Sequence, residues 1–469
     1  MVYGGYSYID KRYEPTQDDF VALFWVEGKN RIEKIAEAIA AESSVGTWTK
    51  LKTMNEFVWQ RLRARVFRIA EVSANSGLVW IAYPFEHFDT KNIIQFKASV
   101  LGNIFGMKEL NALVALDIQF PKRYQEQFSG PLGGIEGIRK RIGTEKTARP
   151  HLGTIVKPKV GLTPKEFAAV AYEAYVGGCD FVKDDENLVD QDFCKFWERA
   201  IAMLEVLDRI KSETGRTVLY APNISDRYEV MLERLDFLKS NNASMVMLDV
   251  FQIGYSALAN ILNETKKRGL FVHAHRAGYA AEARGKFGIN FVIHEKFYRL
   301  LGVDQLHVGT GVGKMEGSPL YVRRLNRILR EDVEEAIHLG SLAQNWSAHI
   351  KPVFPVASGG IDPTLVEGAL AIHGPDVVLQ AGGGIHGHPG GTRVGAIAMV
   401  QAIDAVISNI PLREYAKTHP ELKSALELWG YRPRTANMVK KLLEQEEKRK
   451  AVLKRAALKQ GFKEILKYM

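Results

Sequence analysis

Apolar and polar positions fall into two textures along the chain. Up to about Gly130, DFVALFWVEG and SGLVWIAYPF carry aromatic and β-branched residues between polar flanks, which predicts two strands. Between them RIEKIAEAIAAESS places Ile35, Ala38, Ile39 and Glu42 after Ile32 at helical spacing. KNIIQFKASVLGNIFG predicts a further helix ending near Gly102 or Gly106. Past the glycine-rich SGPLGGIEGIRKRIG, short apolar runs recur and most end in polar residues or glycine. They are GTIVKPK (153–159), DFVKDDE (180–186), TVLYAPN (217–223), SMVMLDV (244–250), LFVHAHR (270–276), QLHVGTG (305–311), VFPVASGG (353–360) and VVLQAGGG (377–384). Most gaps hold a helical pattern, such as PKEFAAVAYEAYVGG behind Thr163 as N-cap.

Eight strand–helix units describe a parallel (β/α)8 barrel, whose strands are apolar until they leave the barrel. The predicted fold class is therefore α/β: a C-terminal (β/α)8 TIM barrel preceded by a smaller α+β N-terminal domain. The boundaries read as 1–135, 136–436 and a basic amphipathic helical tail, 437–469. In that tail Met438, Leu442, Val452, Ala456, Phe462 and Leu466 alternate with charges.

Composition narrows the class. The 469 residues are 46% hydrophobic and 25% charged, which excludes wholesale disorder. No apolar run is long enough for a transmembrane helix, and MVYGGYSYIDKRYEPTQDD has no secretory pattern, so a cytoplasmic location is expected. The net charge of +9 is concentrated: residues 440–467 hold ten basic and four acidic residues. With no basic–aromatic groove or zinc motif, the excess reads as a solvated helix face and not as a nucleic-acid site. Cys179 and Cys194 form no C-x-x-C pair, and Cys179 reads as a buried filler.

The chemistry lies at the polar strand ends: Lys157 and Lys159; Lys183, Asp184, Asp185 and Glu186; His273, His275 and Arg276; His307; Ser358; and Gln380. In a barrel these converge on one rim, where this fold places active sites. In FVKDDE, Lys183 and Asp185 share a strand face and Glu186 joins them where the strand ends. Two carboxylates there suit a hard cation such as Mg²⁺. A lysine repels that cation, so it either pairs with an acid or reacts with CO₂ to become an anionic carbamate. The residue pattern alone favours the ion pair. Lys157 and Lys159 fit either acid–base chemistry among clustered cations or simple neutralisation of an anionic substrate. SGG (358–360) and AGGG (381–384) suit backbone cradles for phosphate, although tight turns use the same glycines. Arg276 and His307 suit a second anion on the opposite side.

GTIVKPKVGLTPKEF, GGCDFVKDDEN, HAHRAG, QLHVGTGVGKMEG, PVASGG and LQAGGGIHGHPGG together resemble, in order, the large chain of ribulose-1,5-bisphosphate carboxylase/oxygenase over about 20–430. The resemblance is to archaeal, form III-like chains that need no small subunit. It implies that Lys183 is carbamylated by a non-substrate CO₂ (N6-carboxylysine) and holds Mg²⁺ with Asp185 and Glu186. It implies that carbamylated Lys183, or a group linked to it, removes the C3 proton of ribulose 1,5-bisphosphate. Lys157 handles protons at C2, supported by Lys159, and His275 is an acid–base group. Lys314 meets the incoming CO₂, while Arg276 and His307 grip one phosphate. Ser358, Gly359, Gly360, Ala381, Gly382 and Gly383 make further substrate contacts, the glycines chiefly at the other phosphate, with Gln380 beside them. Glu42, Thr47, Trp48 and Asn103 are implied to reach the site of a neighbouring subunit, so a homodimer, or an assembly of dimers, is the smallest complete catalyst. The implied reaction gives two 3-phosphoglycerate, with O₂ competing to give 3-phosphoglycerate and 2-phosphoglycolate. The runner-up is a related enolase or isomerase acting on another phosphorylated sugar. One departure stands out: after HAHRAG the family commonly has histidine where this chain has Tyr279, and AAEARGKFG that follows is unusual. Tyrosine donates a hydrogen bond but does not carry a proton near neutral pH as imidazole does.

Overall fold

The structure is a computed structural model describing residues 4–335, 340–432, 436–446 and 448. Both predicted N-terminal strands form: β1 (Phe20–Gly28) pairs antiparallel with β3 (Ser76–Tyr83), β3 with β2 (Arg65–Ser73), and β1 with β4 (Leu110–Gln119). The predicted helix Ile32–Glu42 buries Ile32, Ile35, Ala36 and Ile39 together with sheet residues such as Phe24 and Ile81. Its buried Glu37 is no stray charge, because its carboxylate accepts from the Tyr8 N–H at 2.7 Å and the Ser7 hydroxyl at 2.9 Å. The next predicted helix ends earlier than expected, at Val100, and a short 3₁₀ turn, Asn103–Gly106, completes the segment.

The barrel strands are β5 (His151–Ile155), β6 (Phe181–Lys183), β7 (Leu219–Ala221), β8 (Met245–Asp249) and β9 (Phe271–His275). After a detour through β10 (Phe287–Ile289) come β11 (Gln305–His307), β12 (Phe354–Ser358) and β13 (Val378–Gln380). All eight barrel strands are parallel in the order β7-β6-β5-β13-β12-β11-β9-β8, and the Asn223–Met247 bridge closes the ring. Inside it Phe181, Leu219, Met245, Met247, Phe354, Val356 and Val378 pack with Ile138 of the helix Gly134–Ile142. The interior is thus a filled core and chemistry is left to the rim.

Two expectations are refined. The strand ladders stop short of the predicted run ends: β5 ends at Ile155, so Lys157 and Lys159 lie in the loop beyond it. Pro158 has no N–H with which to extend the ladder. β10, which was not expected, leaves the barrel segment and adds a parallel strand to β4 at the edge of the N-terminal sheet. The helix predicted behind Thr163 forms as Pro164–Val176 with a reciprocal capping box: Glu166 N–H donates to Thr163 Oγ1, and Thr163 N–H donates to Glu166 Oε2. Of the tail, helical residues 436–446 and 448 are described. Val439 is buried and Lys440 lies 3.2 Å from Glu367, while the rest of the predicted tail falls outside the described residues. Among the described residues no helix is long and apolar enough to cross a membrane.

Candidate active site

The C-terminal ends of the barrel strands open into a cavity of about 410 Å³. It is lined by Lys157, Lys159, Lys183, Asp185, Glu186, His275, Arg276, His307, Lys314, Ser358, Gly359, Gly360, Gln380, Gly382 and Gly383. Residues far apart in sequence meet here because each lies at or just past the end of a strand.

Lys183, the last residue of β6, is fully buried, and its Nζ donates to Asp184 O at 2.9 Å and lies 3.8 Å from Glu186 Oε2. Burial pulls this amine below the ordinary lysine value, against the opposing pull of Glu186, Asp185 and Asp249. Asp185 Oδ2 accepts from Lys157 Nζ at 2.8 Å, and its Oδ1 accepts from the Asn187 side chain at 2.7 Å. Burial alone would raise this carboxyl, but those hydrogen bonds and the lysine charges bring it down to about 2. Glu186 reaches Lys159 at 3.8 Å and His275 Nε2 at 3.6 Å. Asp184 points away from the cavity, as strand alternation requires. Arg199, Tyr220 and the Asn223 N–H hold its carboxylate in the interior.

His275 Nδ1 lies 2.9 Å from Asp249 Oδ1, and Asp249 in turn accepts from Asn223 Nδ2 at 3.1 Å. The His275 and His307 rings meet edge to face at 4.6 Å, and His307 and His273 share a 2.8 Å hydrogen bond between their Nε2 atoms. Burial holds both His273 and His307 well below the ordinary imidazole value, so each is neutral. Such a bond requires one ring to donate and the other to accept. Arg276 is buried with Nη1 lacking a partner, and both amide atoms of Gln380 are also buried without one. These orphaned polar groups line the cavity.

Gly359 and Gly360 turn after β12 with φ of +116° and +77°, a backbone that disfavours side chains. The Lys314 N–H donates to Gly359 O at 3.0 Å, which seats its loop against this turn. Ala381 does not line this cavity: it is fully buried, its N–H donates to Gly153 O and its carbonyl accepts from the Thr154 side-chain Oγ1. Glu42, Thr47, Trp48 and Asn103 do not line this cavity either. Asn103 Nδ2 donates to Glu42 Oε1 at 3.4 Å, and Trp48 is 77% exposed. Sequence reasoning missed Asp249 and Asn223. The available signal was an acid closing the apolar run SMVMLDV, the same pattern as FVKDDE.

Two carboxylates, a buried lysine, a carboxylate-oriented histidine and glycine turns meet on one rim of a (β/α)8 barrel. Family models for the "Ribulose bisphosphate carboxylase large chain" match its catalytic domain over residues 134–429 and its N-terminal domain over residues 7–124. The chain belongs to the ribulose bisphosphate carboxylase large-chain family. It is 46% identical to the ribulose bisphosphate carboxylase of Methanocaldococcus jannaschii over 429 residues, covering 90% of this chain and all of that one. Among solved structures it is similar to the dimeric archaeal Rubisco of Hyperthermus butylicus (40% identity, TM-score 0.85), covering 91% of this chain and 99% of that one. It is also similar to the octameric enzyme of Pyrococcus horikoshii, solved with sulfate (39%, TM-score 0.83; 90% and 96% covered).

Proposed function

We propose that this chain carboxylates ribulose 1,5-bisphosphate with CO₂ and water to give two 3-phosphoglycerate, and that O₂ competes to give 3-phosphoglycerate and 2-phosphoglycolate. One observation carries the reading: Lys157, Lys183, Asp185, Glu186, His275 and Lys314 line one cavity together with Arg276, His307 and the glycine turns.

A divalent cation fits the donor set. Asp185 and Glu186 offer hard oxygen ligands but are only two, and Lys183, 3.8 Å from Glu186, supplies a third once it is a carbamate. A buried amine whose proton is destabilised favours the neutral form that attacks CO₂. Bound by Lys183, Asp185 and Glu186, Mg²⁺ supplies stabilisation of negative charge on substrate oxygens. Arg276 and His307 hold one phosphate, and the backbone of Gly359, Gly360, Gly382 and Gly383 the other, with Ser358 and Gln380 beside the sugar. This leaves the middle of the substrate facing Lys157 and His275. His275, oriented by Asp249, moves a proton at a substrate hydroxyl. Lys314 neutralises the new carboxylate. Lys157 returns a proton to C2 once the C2–C3 bond has broken. The assembled site needs a second copy of the chain, and the solved relatives described as dimeric and octameric support such an assembly.

The test is an assay with ribulose 1,5-bisphosphate, labelled bicarbonate and Mg²⁺. Labelled 3-phosphoglycerate should form, and faster after preincubation with CO₂. No labelled product from folded wild-type protein overturns the carboxylase reading, and conversion of the sugar without labelled carbon points to the enolase or isomerase.

A further inference from the structure

Among the rim side chains that take no part in the chemistry assigned above is Tyr279, the residue at which the family pattern breaks. It opens the short helix Tyr279–Ala283 after Arg276 and is 6% exposed. Its hydroxyl donates to Glu316 Oε1 at 2.5 Å. Glu316 lies two residues past Lys314, in the loop that leaves β11. The same loop is fastened on its other side, where the Lys314 N–H donates to Gly359 O. The segment, whose Lys314 and Met315 line the cavity, is therefore pinned at two places.

The Tyr279 ring has little freedom. One face carries the Arg276 guanidinium, 4.0 Å from the ring centroid, and Phe291 packs on the ring edge to face at 5.1 Å. The hydroxyl is thus aimed before the loop arrives, and little rotamer entropy is lost when the bond forms. Burial, and the bond to Glu316 against the opposing charge of Arg276, push the phenol up to about 12, so it keeps the proton it donates. A neutral imidazole packed here would also keep one N–H to donate, but its charge would change near neutral pH, as the phenol's does not.

We propose that Tyr279 is a positioning residue that clasps the Lys314 loop over the cavity through Glu316. Because the same ring seats Arg276, it ties closure to the phosphate grip. The inference rests on the catalytic reading above for what the loop encloses. The clasp itself rests on the contacts of Tyr279 alone.

The experiment compares wild type with Tyr279→Phe, Glu316→Gln and the double variant. Tyr279→Phe keeps the packed ring and deletes only the hydroxyl. The probe is radiolabelled 2-carboxyarabinitol 1,5-bisphosphate, a stable analogue of the six-carbon product of CO₂ addition. Each single variant should release it roughly tenfold faster than wild type, the effect of losing one charge-assisted hydrogen bond. The double variant should be no faster than either single one, since both remove the same contact. The kcat should fall more than KM for the sugar rises. In ligand-free protein, amide exchange across residues 310–317 should rise in all three variants. Release by Tyr279→Phe at the wild-type rate with unchanged exchange overturns the clasp, as do effects that multiply in the double variant. Wild-type protein that does not retain the analogue sinks the catalytic reading instead, and exchange in the ligand-free protein then decides the clasp.

Discussion

At the scale of single residues, the site works by pairing each reactive group with a neighbour that fixes its position. Asp249 is the clearest case, because its carboxylate holds one nitrogen of His275 and leaves the other facing Glu186. Asp249→Asn should fold normally yet lower kcat roughly tenfold to a hundredfold, within the range of general acid–base catalysis. Steady-state kinetics alongside a thermal melt check this, and unchanged kcat would remove Asp249 from the machinery. A second expectation concerns acid stability. His151, buried beside Thr144, is held neutral, its value brought down to about 4 mainly by burial. A folded value below the ordinary 6.5 means that the unfolded chain binds the proton first. Stability should therefore fall as pH drops from about 6.5 to 4, by up to about 3 kcal/mol from this group. His151→Gln should flatten that part of the slope in urea titrations. The motif residues were legible because each terminates an apolar run. Asp249 was not, since one acid after an apolar run also reads as a turn, and neither was Glu316, whose partner Tyr279 lies 37 residues earlier in sequence.

At the scale of elements, periodicity located every barrel strand and both N-terminal strands that were read, because buried strands are apolar through their length. It overran their ends, where side chains still look like strand but the backbone has turned to build the rim. β10 was illegible for a different reason: three residues in a polar segment become a strand only because β4 offers an unpaired edge. Helix starts were better specified. The Thr163–Glu166 box closes the N-terminus of the helix Pro164–Val176, on the outside of the barrel and beyond the lysine pair. Thr163→Ala should cost about 1 kcal/mol of stability. The kcat should be unaltered, because the cap lies outside the cavity. Chemical denaturation with parallel kinetics separates the two effects, and a change in kcat as large as that in stability would mean the cap also positions Lys157.

At the scale of the whole molecule, one chain builds most of a site but not all of what the family pattern requires. Glu42, Thr47, Trp48 and Asn103 lie off the rim of their own barrel, and Trp48 is left exposed. A second copy related by a two-fold axis would let each N-terminal domain serve the other barrel, an isologous arrangement in which both sites are completed at once. The two halves of the site then become separable by mutation. Glu42→Gln would disable a site from the neighbouring subunit, and Lys183→Ala would disable it from the barrel itself. Each variant alone should be nearly inactive. Co-expressed, half of the randomly assorted dimers pair one of each, and such a dimer carries one doubly mutated site and one intact site. Activity should therefore recover to about a quarter of the wild-type value. Recovery that disappears on dilution to monomers, followed by light scattering, would tie the activity to the dimer. If the mixture stays as inactive as its parents while heterodimers demonstrably form, the four residues act within their own chain and the shared site is wrong.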